Sequence, residues 1–224
     1  MTLYDTFSDY LSIGDNFIHV ENGGDYFVKR DGDTLTIFFE CSDGKEDWIN
    51  NFKFLAIPWK PYKGMKKPWL CHRGFLGVWK AIKPYIESEI FNLEVQKIVI
   101  VGYSHGAAIA LLCYEYCRFH RPFIDIEGVG FGCPRVFWGI VPKSVKKRFE
   151  KFTVVRNGRD IVTRVPPALI GFRHVSKVVK IGQTNLVDDH RPEKYLLNLT
   201  QQGCVQDGDN QSLFENERWK QEGI

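Results

Sequence analysis

The sequence has no long hydrophobic run and little net charge. Nowhere do 18 apolar residues follow one another, and the first stretch, MTLYDTFSDYLSIGDNF, lacks the basic and then apolar segments of a secretion signal. The formal charge of +3 is too small, and too evenly scattered, to indicate a nucleic-acid-binding surface. We therefore expect a cytoplasmic or otherwise soluble protein, secreted only if a leader was removed, with no nucleic-acid partner.

Metal-ligand patterns are also missing. Cys113 and Cys117 lie four residues apart in a helical stretch, but no matching Cys or His pair has zinc-ligand spacing. Most cysteines fall within apolar stretches, where Cys behaves as a small hydrophobic residue, and this favours reduced thiols. The six cysteines are Cys41, Cys71, Cys113, Cys117, Cys133 and Cys204. We expect no metal site and no cofactor.

The pattern of apolar residues predicts an α/β fold in a single domain spanning residues 1–224. DYFVKRDGDTLTIFFE predicts a hairpin around Asp31-Gly32 at the start of the chain. KIVIVGY is typical of a strand covered on both faces, and SHGAAIALLCYEYCRF, which follows it, of a helix. Further strands alternate with helices, which predicts a mostly parallel central sheet with helices on both faces.

One serine, Ser104, lies between two glycines at the predicted junction of a strand and a helix. The spacing Gly102-x-Ser104-x-Gly106 permits a sharp turn that lifts the serine hydroxyl clear of the sheet. The following helix would direct its N-terminal N–H groups toward an oxyanion. The alternative is a glycine-rich strand end whose serine merely caps the helix.

A serine nucleophile needs a base and an acid, and the sequence offers both in a suitable order. Asp160 follows a predicted strand in VVRNGRDIVTRVPP, and His190 precedes the final predicted helix in LVDDHRPEKY. The order Ser104, Asp160, His190 is that of α/β-hydrolases, in which the acid orients the imidazole and the imidazole deprotonates the serine.

Other acids and histidines compete for these roles. Asp188 and Asp189 adjoin His190, but adjacent residues rarely direct their side chains into one hydrogen bond, so we interpret them as solvated loop acids. His174 enters a strand and is interpreted as a hydrogen-bonded structural histidine. His105 begins the helix after the serine and is expected to lie at the pocket edge with its ring turned away.

Six stretches, in this order, resemble those of the class 3 lipases, a family of triacylglycerol lipases and feruloyl esterases with an α/β-hydrolase fold. The resemblance spans roughly residues 24–200. The stretches are FFECSDGKEDW, CHRGFLGVW, VGYSHGAAIA, FGCPRV, RDIVTRVPPALIGFRHV and DDHRPEKY. Each alone is a weak signal, and their order makes the combination specific.

The resemblance implies functional roles at five positions. It makes Ser104 the nucleophile, Asp160 the acid and His190 the base, as the residues themselves suggest. It adds Ser42, which would supply a hydroxyl and a backbone N–H to the oxyanion hole beside the N–H of His105.

The sequence departs from the family pattern near these positions. Glu40 and Cys41 stand where the family has Arg-Gly, and His105 stands where it usually has leucine. The spacing from His190 to Tyr195 is one or two residues longer than usual. None of these departures removes a catalytic atom.

The segment 43–51, which follows Ser42, is expected to be a short lid, with Trp48 and Ile49 as its only large apolar residues. The irregular stretch PWKPYKGMKKPW is expected to flank the pocket entrance with Trp59, Tyr62 and Trp69. The candidate triad and the family resemblance together imply a serine hydrolase for acylglycerols or short to medium chain esters, with transient lipid-surface contact and no obligate protein partner. The alternative is a noncatalytic lipase-fold protein that docks a partner or membrane through the Trp- and Lys-rich stretch.

Overall fold

The computed structural model describes residues 2–21, 24–40, 55–62, 65, 67–182 and 189–203. Its helices are α1 (Leu3–Ser12), α2 (Arg73–Ile90), α3 (His105–His120), α4 (Lys143–Arg148) and α5 (Pro192–Gly203). Its strands are β1 (Ile18–His19), β2 (Asp25–Asp31), β3 (Thr34–Glu40), β4 (Ala56–Trp59), β5 (Trp69–His72), β6 (Lys97–Tyr103), β7 (Asp125–Phe131), β8 (Phe137–Trp138), β9 (Phe152–Asn157), β10 (Phe172–Arg173) and β11 (Lys177–Ile181). Short 3₁₀ turns lie at Gly14–Asn16, Val162–Arg164 and Ala168–Ile170.

The central sheet has seven strands in the order β1-β2-β3-β6-β7-β9-β11. The first three strands are antiparallel, and each neighbouring pair from β3 to β11 is parallel. The parallel strands therefore end at one edge of the sheet, and the loops that follow them meet there. This arrangement confirms the predicted mostly parallel sheet.

The predicted hairpin is present, but it does not open the chain. β2 pairs with β3 from Asp25 to Asp31, and Gly32 in the turn has φ +57°. Helix α1 precedes the hairpin and is capped by Thr2, whose hydroxyl accepts from the Asp5 N–H while the Asp5 carboxylate accepts from the Thr2 N–H. The prediction missed this helix because its few buried side chains, such as Phe7, are interleaved with polar ones.

The two faces of the sheet bury separate hydrophobic clusters. Along β6, Ile98 and Ile100 pack on the side of α2 and α3, whereas Val99 and Val101 pack on the side of α1 and α5. Alternate side chains of a strand point to opposite faces, so a strand covered on both faces is apolar throughout. The run KIVIVGY thus has the environment that its composition predicts.

The stretch PWKPYKGMKKPW is less irregular than expected, because both of its ends are strands. β4 and β5 pair antiparallel with Trp59 opposite Trp69, in a second sheet of order β10-β8-β5-β4. The Trp69 indole N–H donates to the buried Glu115 carboxylate of α3 at 2.9 Å. α2 is one continuous helix although Pro84 lies within it.

Within the described ranges, no helix is long and apolar enough to cross a bilayer. The four cysteines described there are buried free thiols, namely Cys71, Cys113, Cys117 and Cys133.

The close approach of α3 to β3 depends on glycine. A Cβ at Gly106 would lie 2.1 Å from the Phe39 carbonyl oxygen, and one at Gly102 would lie 2.4 Å from the Gly106 carbonyl oxygen. Both obstacles are backbone atoms, which cannot swing aside as a side chain can. These two glycines therefore let the strand, the turn and the helix pack together.

We predict that Gly106→Ala lowers the free energy of unfolding by at least about 3 kcal/mol or prevents folding, because the new methyl group overlaps the β3 backbone. The matched control is Gly77→Ala on the exposed side of α2, where no heavy atom lies within 4 Å of the added Cβ. That variant should be about 0.5–1 kcal/mol more stable, since alanine favours the helix. Chemical denaturation of both proteins gives the comparison, and equal stabilities would contradict the packing argument.

Candidate active site

Ser104 lies on a strained turn between β6 and α3. Its φ of 55° and ψ of −123° make it the only non-glycine residue with positive φ in the described part of the chain. The Ser104 N–H donates to the Phe131 carbonyl at 2.8 Å, which ties the turn to the end of β7. The turn leaves the side chain partly exposed at the carboxyl edge of the sheet.

His190 lies directly beside this serine. Its Nε2 is 2.8 Å from the Ser104 Oγ, and its ring stacks on Tyr103 at 5.1 Å between centroids. The Tyr103 hydroxyl also donates to the His190 carbonyl oxygen. Tyr103 therefore fixes both the ring plane and the backbone of the histidine.

Asp160 completes a chain of hydrogen bonds behind His190. Its Oδ2 lies 2.8 Å from His190 Nδ1, and its side chain is fully buried. The Tyr195 hydroxyl donates to the same oxygen at 2.6 Å, and the Val162 N–H donates to Oδ1 at 2.8 Å. A carboxylate only accepts, so Nδ1 carries the imidazole proton and Nε2 is left to accept from Ser104.

Tyr195, in the first turn of α5, supports the buried acid. Burial and then the negative charge of Asp160 raise the pKa of the Tyr195 phenol well above its usual value, so the phenol stays protonated and donates. The sequence signalled this tyrosine only through the resemblance of DDHRPEKY to a family motif. Its bond to Asp160 depends on α5 packing against the end of β9.

Two further residues of the site were missed by sequence reasoning. Gly132, with φ +63°, lies so close that a Cβ there would be 2.8 Å from the His190 Cε1 and 3.1 Å from the Asp160 Oδ2. Asn157 at the end of β9 donates through Nδ2 to the Asp189 carbonyl at 2.9 Å, which anchors the loop of His190. The stretch FGCPRV contained the only signal for Gly132, and nothing singled out Asn157.

The other residues considered for the roles of acid and base have partners outside the Ser104–His190–Asp160 group. The Asp189 Oδ2 accepts from the Arg159 backbone N–H at 2.6 Å, so this carboxylate stabilises the loop turn beside Asp160. The His174 Nε2 lies 2.8 Å from the Thr163 carbonyl, and burial lowers the pKa of this histidine to about 4. This environment is that of a structural histidine. Asp188 lies outside the described residues.

His105 is the first residue of α3, so its backbone N–H belongs to the helix N-terminus beside Ser104. Its ring is buried and packs edge-on against Phe75 at 5.1 Å. Burial, and then the nearby His72, lower the pKa of His105 to about 4, and burial does the same for His72. Both rings are therefore neutral near pH 7 and form part of the packed wall behind the serine.

Of the remaining predicted positions, the structure describes Trp59, Tyr62 and Trp69, and it does not bring Trp59 or Tyr62 to this group. Trp59 is buried at the Trp69 end of the β4–β5 hairpin, next to Tyr62, which stacks on Phe119 near the far end of α3. α3 has 16 residues and is about 24 Å long, so this end of the hairpin is remote from Ser104. Trp59 is remote because β4 and β5 are antiparallel. Their pairing places Ala56 and His72 at one end of the hairpin, toward the site, and Trp59 and Trp69 at the other end. Ser42, Trp48 and Ile49, with the whole segment 43–51, lie outside the described residues.

The sheet order, the serine on a turn after β6, the acid after β9 and the histidine before the last helix together define an α/β-hydrolase fold. Solved structures with this chain arrangement include the triacylglyceride lipase of Rhizomucor miehei, with a TM-score of 0.60 and 24% identity over 74% of this chain and 66% of that one. A lipase from Rhizopus microsporus var. chinensis has a TM-score of 0.57 and 21% identity over 78% and 66%. The predicted fold class is confirmed.

The chain belongs to the class 3 lipase family, whose model, Lipase (class 3), matches residues 36–170. The Rhizomucor miehei lipase is 27% identical over 185 residues, which are 78% of this chain and 46% of that protein. The secreted mono- and diacylglycerol lipase LIP2 of Malassezia restricta is 30% identical over 122 residues, or 51% and 38%. The chain thus spans less than half the length of these curated relatives. The predicted family is confirmed.

We predict that His72→Asn weakens the loss of stability in acid. The folded state holds the pKa of His72 near 4, against 6.5 for an ordinary histidine, so between these pH values the unfolded chain binds a proton that the folded chain does not. Stability should therefore fall as the pH drops from about 6.5 to about 4, by up to about 1.4 kcal/mol per pH unit for this one group. Asparagine cannot titrate but can still cap α2. Denaturant unfolding at several pH values should show a shallower slope in the variant, and an identical slope would contradict the assignment.

Proposed function

We propose that this protein is a serine carboxylic-ester hydrolase that acts on acylglycerols or on short to medium chain esters. The single observation that carries the proposal is the line of hydrogen bonds from the Ser104 Oγ through His190 to the buried Asp160, each step 2.8 Å long. A serine hydroxyl becomes a strong nucleophile only when a base removes its proton, and here an oriented imidazole nitrogen is within reach. The membership in a lipase family supports an ester as the substrate.

The reaction would proceed in two halves. In the first half, His190 Nε2 takes the proton of Ser104 while the Oγ attacks the ester carbonyl, and the same nitrogen then gives the proton to the departing alcohol. In the second half, a water activated by His190 releases the acid from the acyl-serine. The buried carboxylate of Asp160 stabilises the imidazolium that forms twice in each cycle.

The N-terminus of α3 would stabilise the oxyanion. The His105 N–H follows the nucleophile directly, and the positive end of the helix dipole favours negative charge beside Ser104. The second donor in this proposal is Ser42, through its hydroxyl and backbone N–H, which remains a prediction. The lid role of segment 43–51 with Trp48 and Ile49 likewise remains a prediction.

The names of several relatives bear on substrate and location. The Malassezia and Fusarium proteins are named secreted mono- and diacylglycerol lipases, and the Rhizomucor structure is that of a triacylglyceride lipase. These names support an acylglycerol as the substrate of this chain. They also favour the secreted location among those considered from the sequence.

We predict that Ser104→Ala abolishes labelling by a fluorophosphonate probe and lowers kcat on soluble p-nitrophenyl esters by about 10⁴-fold or more, because the nucleophile is gone. Ser144→Ala in α4 is the matched control, since that serine is exposed and outside the site. Retained labelling in the Ser104 variant would favour the noncatalytic alternative. Rates on esters of increasing chain length, measured above and below their solubility limit, then distinguish an esterase from a lipase.

We predict that Asp160→Asn lowers kcat by about 10³-fold to 10⁴-fold, because an amide stabilises the wrong imidazole tautomer and does not balance the imidazolium charge. Asp189→Asn should change kcat by less than about threefold, because its amide oxygen can still accept from the Arg159 N–H. Steady-state kinetics on one soluble ester test both variants. A larger loss in the Asp189 variant would reject Asp160 as the acid.

A further inference from the structure

Positive charge is concentrated in one segment of the chain. Residues 135–173 contain ten Lys and Arg but only two acidic residues, a net charge of +8, whereas the whole chain carries +3. The rest of the chain is therefore net acidic. The expectation that charge is evenly distributed along the chain is wrong. Two of these cations, Arg148 and Lys151, pair with Glu115 and Asp125 from outside the segment, so the local positive potential depends on the other eight.

The same segment exposes a group of large apolar side chains. Leu169 is 100% and Ile140 94% exposed, and Trp138 and Ile170 are 44% and 45% exposed. The Trp138 indole N–H donates to the Ile170 carbonyl at 2.7 Å, and the Gly139 N–H donates to the Gly171 carbonyl at 2.9 Å. These bonds continue the pairing of β8 with β10, so the segment after β8 lies beside the segment before β10. We call the four residues the apolar patch.

Three arginines lie close to the apolar patch. Arg135 donates to the carbonyls of Arg164 and Pro166, and Arg173 donates to those of Ala168 and Phe172. No ion pair within 4 Å involves Arg135, Arg164 or Arg173 in the described ranges. Burial lowers the pKa of Arg135, and the charges of Arg156, Arg173 and Arg164 lower it further. An external anion would relieve the repulsion between these charges.

The apolar patch is connected to the edge of the molecule that carries the candidate active site. The Arg135 N–H donates to the Val165 carbonyl at 2.8 Å, which joins the loop after β7 to the loop that begins at Asp160. In the same two loops, Gly132 lies against His190, and Ile161, which follows Asp160, is 60% exposed. The two loops that lead to the patch therefore also contain residues that contact or adjoin His190 and Asp160.

We propose that the apolar patch, with Arg135, Arg164 and Arg173 around it, docks the protein onto an anionic lipid surface. Leu169 and Ile140 enter the acyl region, Trp138 lies at its boundary and the arginines contact the anionic headgroups. Aliphatic side chains this exposed suit acyl chains better than nucleic acid, whose single strands are bound mainly by stacking on aromatic rings. This docking goes beyond the proposed hydrolysis and does not require it.

The test uses the full chain with Ser104→Ala, so that binding is measured without hydrolysis. Sedimentation with phosphatidylcholine vesicles, with and without phosphatidylglycerol, should show binding at least about tenfold stronger to the anionic vesicles. Adding Ile140→Asp and Leu169→Asp should weaken that binding at least about tenfold, because the apolar insertion is lost. Arg164→Gln should weaken binding to anionic vesicles by about fivefold and change binding to neutral vesicles little.

The matched controls are Leu93→Asp and Phe123→Asp. These side chains are 88% and 100% exposed, but they precede β6 and β7 and so lie at the opposite edge of the sheet from Ser104. They should leave vesicle binding unchanged. With Ser104 intact, the patch variants should keep the parent's kcat on a soluble ester, which verifies their folding.

The proposal would be overturned by equal losses in patch and control variants, by no preference for anionic vesicles, or by duplex DNA displacing the protein from the vesicles. Should the double variant fail to fold, Leu169→Gln alone provides the same comparison. Loss of vesicle binding with intact ester hydrolysis supports the docking surface. Intact vesicle binding with no hydrolysis in the parent would reject only the proposed activity.

Discussion

The unfavourable backbone conformation at Ser104 is the constraint on which the site depends. A positive φ at a residue with a side chain costs on the order of 1–3 kcal/mol, so the surrounding packing must hold it. Gly102 and Gly106 provide that packing, because without side chains they let β3, β6 and α3 approach closely enough to fix the turn. The same close approach places the N-terminus of α3 beside Ser104.

The buried carboxylate of Asp160 depends in turn on elements from both ends of the domain. It accepts from the imidazole of His190, the phenol of Tyr195 and the Val162 N–H, so that its burial is compensated by hydrogen bonds. Tyr195 belongs to α5, which packs against α1 on one face of the sheet. α1, which was not predicted from the sequence, thus supports α5, the helix whose Tyr195 holds Asp160 in place.

Positive charge and exposed apolar side chains are concentrated in one segment of this chain, which its overall composition does not reveal. The segment from Arg135 to Arg173 is strongly basic, while the rest of the chain is net acidic. Its exposed aliphatic residues lie beside those cations because β8 and β10 pair in the second sheet. The same sheet buries Trp59. Of the aromatic residues expected at the pocket entrance, Trp59 and Trp69 pair in the second sheet, and Tyr62 stacks on Phe119 of α3.

The sequence by itself determined the parallel sheet, the turn at Ser104 and the candidate acid and histidine, because these depend on local patterns of apolar residues, on glycine spacing and on chain order. Only the tertiary structure decided which side chains surround them. The bond from Tyr195 to Asp160, the contact of Gly132 with His190 and the anchoring of the His190 loop by Asn157 join positions 32 to 58 residues apart. Such contacts depend on how helices and strands pack, and a local pattern contains no information about its distant partner.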